Sequence, residues 1–389
     1  MYINGQPCGG AFFRGERIFD ATPKDEPFYV EDISGSANTL SIAQNDESAP
    51  TITVEKSTDG ITWESMGTTS TTAITAVIPA YGKLYLRASA TRWYSTNGSY
   101  YNTITASKRH NVGGNILSLL HGSTFTGYTR NLTSTNTYAF ASIFRGNTNL
   151  VSAEKLILNT TLAERCYRNM FYNCTSLTTV PELPATTLAE SCYRNMFYNC
   201  TSLTTVPELP ATTLASDCYR YMFASCLSLT TVPSDLLPAT TLASNCYRLM
   251  FQNCSTLTTA PVLPATTLVE SCYYQMFNNC SLTTAPELPA TTLAVSCYYQ
   301  MFKGCTSLTT VPELPATTLV ESCYYQMFNR CTHLNYIKCL ATNISASGCL
   351  NDWVSGVAAS GTFIKDANMT SWPTGNNGIP SGWTVQDAA

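Results

Sequence analysis

"CYRNMFYNCTSLTTVPELPATTLAES", residues 166–191, is followed at Cys192 by almost the same run of letters. Variants open at Cys218, Cys246, Cys272, Cys297 and Cys323, so successive first cysteines lie 26, 26, 28, 26, 25 and 26 residues apart. A period of this length marks a chain of stacked units, each too small to bury its apolar stripe alone. The two odd intervals come from "PSDLLP" and "CSL", both in connecting segments. A degenerate copy begins at Ala139, where Ile143, Phe144 and Leu150 align with Met170, Phe171 and Leu177. Ala139 and Asn147 stand there in place of the two cysteines, which suits an N-terminal cap. After Cys331 the pattern decays, and the Trp- and Gly-rich "SWPTGNNGIPSGWTV" reads as a second cap over an otherwise open end.

Within a unit, Thr187 followed by Glu190 has the form of a capping box and predicts a helix start. Thr161/Glu164, Thr267/Glu270 and Thr318/Glu321 repeat the signal. Leu188, Cys192, Met196 and Cys200 then fall four apart, with Tyr193 and Phe197 beside them, as one apolar stripe at helical spacing. "SLTTV" offers a short strand, ended by Pro207 and Pro210, which cannot donate to a sheet. The expected unit is a short helix plus a short parallel strand.

Outside the repeats, "TITVEKSTDGITWESMG" alternates on each side of Asp59-Gly60, a type I′ hairpin signal, and "AITAVIP" and "KLYLRASA" follow as strands. Several short strands over residues 26–106 predict a small β-sandwich, immunoglobulin-like in outline but without a Cys…Trp…Cys framework. Residues 1–25 hold two short alternating stretches around Asn4-Gly5 and Arg14-Gly15, read as a β-rich attachment segment or as strands pairing into the next domain. The expected fold is thus α+β and multidomain: the attachment segment (1–25), the sandwich (26–106), a connector and cap (107–138), a repeat solenoid (139–340) and a C-terminal cap (341–389).

Charged residues are only 12 % of the chain and the net charge is −4, which argues against a nucleic-acid partner. No apolar stretch is long enough to span a membrane, and "MYINGQPCGGAFFRGERIFD" shows neither the apolar run nor the cleavage site of a signal peptide. Of the 17 cysteines, fourteen fill the two repeat columns, and Cys8, Cys339 and Cys349 lie outside them. Two cysteines eight apart on a helix would be about 12 Å apart, too far for one ion or an internal disulfide. Small buried side chains explain the columns best, with bridges between units and metal binding as the alternatives. Cys331, His333, Cys339 and Cys349 cluster in sequence but fit no common zinc pattern. The three histidines stand in no hydrolase or zinc motif, no Gly-rich phosphate loop exists, and Gly113-Gly114-Asn115 reads as a turn. The evenly spaced Glu182, Glu208, Glu287 and Glu313 read as solvated charges. No enzyme activity and no cofactor are expected.

One column does vary. Two residues after the first cysteine it reads Arg168, Arg194, Arg220, Arg248, then Tyr274, Tyr299, Tyr325. An outward row of tyrosines suits sugar stacking or a protein partner; a solvated face that drifted on duplication is the alternative. Thr178/Thr179 and their equivalents offer a second surface of the same kind.

The order Tyr-x-x-Met-Phe-x-x-Cys-x-x-Leu-x-x-Val-x-x-Leu-Pro resembles the BspA-like leucine-rich repeat, over about residues 135–340. It departs from that family in Met before the Phe, in the extra Cys and in Val-Pro-Glu-Leu-Pro. "GGNILSLLHG" and "GIPSGWTV" also resemble segments that accompany such arrays in gut Bacteroidales and their phages. The resemblance implies an adhesive surface rather than catalysis. With the missing leader, it favours a bacteriophage virion component of the tail- or head-fibre type, made in the host cytoplasm. Its attachment segment would meet other virion proteins, and its array a host surface glycan or protein. A bacterial cell-surface adhesin is the alternative. No heptad argues for a trimer, and a homo-oligomer stays open.

Overall fold

A computed structural model of the chain describes residues 25–127 and 131–388, together with four two-residue strands nearer the start. These are β1 (Tyr2–Ile3), β2 (Gln6–Pro7), β3 (Phe12–Phe13) and β4 (Glu16–Arg17). β1 pairs antiparallel with β2, and β3 with β4. Cys8 lies outside the described residues.

Eight strands follow: β5 (Tyr29–Asp32), β6 (Asn38–Gln44), β7 (Thr53–Ser57), β8 (Glu64–Thr68), β9 (Ile74–Ile78), β10 (Lys83–Ala88), β11 (Asn102–Ala106) and β12 (His110–Asn115). A four-residue helix, α1 (Ser118–His121), and the first repeat strand, β13 (Leu150–Ile157), come next. One sheet runs β13-β12-β5-β10-β7-β8 and a second β11-β6-β9. Alternation sets their buried faces. Val30, Val54, Leu84 and Leu86 from the first sheet enter the same core as Leu40, Ile42, Ile78 and Ile104 from the second.

The Asp59-Gly60 hairpin differs from the expected two-residue turn. β7 and β8 are joined by a longer loop in which only Gly60 has positive φ, +74°. A type I′ turn needs positive φ at both central residues. Asp59 instead accepts from the backbone N–H groups of Ile61 and Thr62 and from Ser57 Oγ, and these donors hold its carboxyl well below the usual range. Gly113-Gly114 is not a turn either but the middle of β12. A Cβ on Gly114, at φ +76°, would lie 2.1 Å from the Pro27 carbonyl oxygen, so β12 can approach the start of β5 only through glycine.

β12 joins the two halves of the molecule. It pairs antiparallel with β5 on one side and parallel with β13 on the other. The core crosses the junction without a break: Phe28 stacks on Phe144 (5.9 Å), and Phe144 on Phe171 (5.3 Å). Asn147 Nδ2 donates to the Ile104 carbonyl (3.1 Å) and to His110 Nε2 (3.0 Å), while His110 Nδ1 lies 2.9 Å from the Lys108 carbonyl. That arrangement requires the neutral ring with its proton on Nδ1. Burial lowers the His110 pKa, against the opposing pull of the Lys108 carbonyl and Asp32. The unfolded chain therefore takes up this proton first. The ring's contribution to stability is complete above about pH 6.5 and is lost as pH falls through the lower folded value. Urea midpoints should drop between pH 7 and pH 5, and His110→Gln should flatten that slope while lowering stability at pH 7.

The repeats depart from expectation at their helices. Among the described residues α1 is the only α-helix, and the stretch from each first cysteine to the second is a run of tight turns. In the unit opened by Cys192, every second N–H bonds backward over one turn: Arg194 to Ser191 O, Met196 to Tyr193 O, Tyr198 to Asn195 O. The intervening N–H groups bond forward to the next unit: Tyr193 to Cys218 O, Asn195 to Arg220 O, Phe197 to Met222 O, Asn199 to Ala224 O, at 2.9–3.1 Å. Ser191, Asn195 and Asn199 have φ of +53°, +57° and +57°, the requirement of the third residue of a type II turn. The helix fails because every fourth residue is left-handed, and asparagine and serine at those places tolerate it. The Thr-x-x-Glu signals are not helix caps. Thr187 bridges Thr213 in parallel, and Glu190 O accepts from Arg165 N–H.

The opposite wall is thinner than a continuous sheet. Isolated parallel bridges such as Ser152–Thr179 and Thr310–Tyr336 stand where strands were expected, and Thr187–Thr213, Thr267–Thr292 and Thr318–Asn343 stand where helix starts were expected; two prolines per unit remove donors from this wall. Full strands form at the ends only, as β13 and as the parallel trio β14 (Tyr336–Cys339), β15 (Thr362–Lys365) and β16 (Thr384–Asp387). The ladder also runs one unit further than the sequence pattern: Tyr324 N–H bonds Cys349 O, Phe328 N–H bonds Trp353 O, and Arg330 N–H bonds Ser355 O. Trp353 closes the core, near-parallel to Tyr324 and to Trp372, with its Nε1 donating to Gly378 O at 2.8 Å.

Candidate functional site

The tight-turn wall sorts its side chains by fours. In "CYRNMFYNC" the first and second letters of each four point in, the third points out, and the fourth is the left-handed residue. Inward, Cys192, Tyr193, Met196, Phe197 and Cys200 are at most 1 % exposed. Their counterparts in neighbouring units stack directly on them: Phe197 lies 5.4 Å from Phe171 and 5.6 Å from Phe223.

The described cysteines, Cys166 through Cys349, are free buried thiols. Those of the second column have a fixed task. Cys200 Sγ donates to Phe171 O (3.2 Å), Cys226 to Phe197 O (3.3 Å), Cys254 to Phe223 O (3.1 Å), and so on to Cys331 and Phe302 O. Each thiol thus ties its unit to the one before, as Asn147 does at the junction. Burial pushes Cys166, Cys218, Cys254 and Cys305 up to about 12, which leaves almost no thiolate near neutral pH. Iodoacetamide at pH 8 should therefore leave the native array unmodified and label it only in denaturant. Intact-mass spectrometry before and after urea checks this. Among the described residues no group of three or more His, Cys, Asp or Glu could hold a metal ion. His333 is exposed, with Nδ1 2.6 Å from Thr306 O, while Cys331, Cys339 and Cys349 are buried.

The outward third-letter column is continuous. Tyr274, Tyr299 and Tyr325 lie face to face, with ring centres 4.5 Å apart at both steps and planes within 3°. Arg248 sits 4.0 Å over Tyr274, joining this stack to Arg220, Arg194 and Arg168. All seven are half-buried rather than fully exposed. The tyrosine faces cover one another, so a sugar cannot stack between them. Burial, then the neighbouring Tyr274 and Tyr325, push the Tyr299 phenol up to about 12.

A second outward column lies one turn further on and was not singled out in the sequence. Tyr172 stacks on Tyr198 at 4.7 Å, and Arg145 lies 4.0 Å over Tyr172. Between the columns, Asn195 Nδ2 donates to Asn169 Oδ1 (2.8 Å), and Gln300 Nε2 to Gln326 Oε1 (2.7 Å), as amide ladders. Counting in fours from each cysteine, rather than in helical turns, finds both. On the opposite wall Thr204, Thr205, Thr230 and Thr231 are exposed, as are Glu182, Glu208, Glu287 and Glu313; Glu313 pairs with Lys338 at 2.6 Å.

The family model for the BspA type leucine-rich repeat region matches six copies, over residues 123–258, 164–309 and 237–349. The chain belongs to the BspA-type leucine-rich repeat family. Its matched region spans more than half of the sequence and contains the whole ladder from Cys166 to Cys349. Compared with curated proteins and with solved structures, the chain has no significant match in either. A BspA-type array with a constant interior and variable outward columns is the build of a binding or surface protein.

Proposed function

We propose that this BspA-type protein is a non-catalytic binding protein that grips a glycan or protein through the outward columns of its tight-turn wall. The observation that carries this reading is the contrast between columns. Cys, Tyr, Met and Phe repeat almost unchanged inside, while the outward column changes from arginine to tyrosine at Tyr274 yet stays stacked. A ladder bond at every second residue holds these side chains in register before any ligand arrives, which lowers the ordering cost of binding. In finer terms the molecule reads as an immunoglobulin-like sandwich bearing a solenoid.

The test is an immobilised panel of neutral and acidic glycans with host-cell envelopes alongside. Tyr274→Phe, Tyr299→Phe and Tyr325→Phe together keep the stack and remove only its hydroxyls. Adhesion should weaken several-fold with the melting temperature unchanged; unaltered adhesion would move the site away from this column.

The setting we favour is a bacteriophage virion, with β1–β4 as the attachment to other virion proteins and the array turned toward the host. Two small strand pairs ahead of the first large sheet support it. Mass spectrometry of purified particles should detect the protein. Its recovery from the outer surface of bacteria that carry no phage genes would favour a cell-surface adhesin instead.

A further inference from the structure

Six arginines crowd one end of the tight-turn wall: Arg145, Arg165, Arg168, Arg194, Arg220 and Arg248. The units concerned, from Ala139 to the one opened by Cys246, bring four carboxylates to the same wall: Glu164, Glu190, Asp217 and Glu270. Glu164 and Glu190 are both taken by Arg165, and Asp217 by Arg220 (3.1 Å). Among the described residues no carboxylate pairs with Arg168 or Arg194. This excess of positive charge stands in a chain whose net charge is −4. Four of the arginines occupy a single column on consecutive units, and the Nε of each is buried without a partner. The terminal guanidinium nitrogens are then the donors that a ligand can reach. Holding like charges in a row is unfavourable: Arg194 is shifted down by burial and then by Arg220 and Arg168. An external anion would relieve that repulsion.

We propose that the Arg168–Arg194–Arg220–Arg248 column binds a linear polysaccharide bearing a carboxylate on successive sugars. This inference rests on the reading of the wall as a binding face and names the ligand class for its arginine half. Units joined by backbone hydrogen bonds advance by about 4.8 Å, a distance close to the advance of one sugar in an extended hexuronan. One guanidinium per unit can therefore meet one carboxylate per sugar, with the charge-assisted geometry that suits arginine. The tyrosines that continue the column present hydroxyls, which match neutral sugar hydroxyls. A single-stranded nucleic acid fits less well. Its bases need open aromatic faces, whereas Tyr172 and Tyr198, and Tyr274, Tyr299 and Tyr325, close theirs on one another.

The experiment is interferometry of the full chain against three immobilised polymers: polygalacturonate, the same polymer fully methyl-esterified, and single-stranded DNA. Polygalacturonate should be bound, with affinity falling as salt rises, and the esterified polymer should not. Arg168→Gln, Arg194→Gln, Arg220→Gln and Arg248→Gln together should weaken binding at least about tenfold. Arg194→Gln alone, a milder change to the fold, should weaken it several-fold at an unchanged melting temperature. Equal binding of the ester, equal or tighter binding of DNA, or wild-type affinity in folded variants would each overturn the proposal. If polygalacturonate is ignored while other panel glycans bind through the tyrosines, this inference fails and the binding reading stands. If no glycan or envelope binds, the binding reading itself fails.

Discussion

Phe223→Ala should cost about 3–5 kcal/mol and turn a single unfolding transition into two. Phe223 is fully buried in the middle of the array, 5.6 Å from Phe197 and 5.7 Å from Phe251. Truncation opens a cavity between two rings that ladder bonds on both sides prevent from closing. The backbone bonds survive, including the Cys254 thiol on Phe223 O, so the loss is one of packing and not of hydrogen bonding. A stacked array holds together only through neighbours, and a weak interior unit lets the halves melt separately. Urea titration followed by tyrosine fluorescence and by circular dichroism should give diverging curves. Coincident curves with a loss below about 1 kcal/mol, the range of a tolerated surface change, would mean that the rings do not carry the stack.

The second large effect is at Ser225, whose φ is +62° and whose N–H bonds Gln252 O at 2.8 Å. Proline cannot adopt that angle and has no N–H, so Ser225→Pro should cost about 3 kcal/mol or more. Ser225→Gly should do the reverse, adding up to about 1 kcal/mol by relieving the left-handed penalty. Gly146, Gly304 and Gly356 already occupy this place in other units, at φ of +72°, +77° and +77°. A helix makes the opposite demand, since glycine weakens a helix interior. The sign of the glycine variant, read from urea midpoints, thus separates a tight-turn wall from a helical one.

How much of this was legible in the letters differs from element to element. The unit length, the degenerate copy at Ala139 and the stacking of the inward letters follow from the repeat, because side chains that recur at one place must meet in a stacked array. The alternating strands at "AITAVIP" and "KLYLRASA" appear as β9 and β10, since period-two patterning reports directly on a half-buried sheet. The helix reading was misled by a spacing of four. An α-helix drifts by about 40° at each step of four residues, so Leu188, Cys192, Met196 and Cys200 would have smeared across its surface. Strict repetition of four, with Asn195 and Asn199 closing each group, was the available sign of turns. The level at Cys349 was missed because Leu350 and Trp353 replace Tyr and Met while the backbone bonds continue. The arginine–tyrosine column was readable because its residues recur; the closure of its ring faces was not, because stacking distance depends on how the units sit.

That the wall is built of tight turns is the claim on which the register of every outward column rests. Far-ultraviolet circular dichroism of the folded protein tests it most directly. The account predicts a spectrum with almost no α-helix, in keeping with a single four-residue helix among the described residues. A strong helical double minimum, as seven short helices would give, would contradict it.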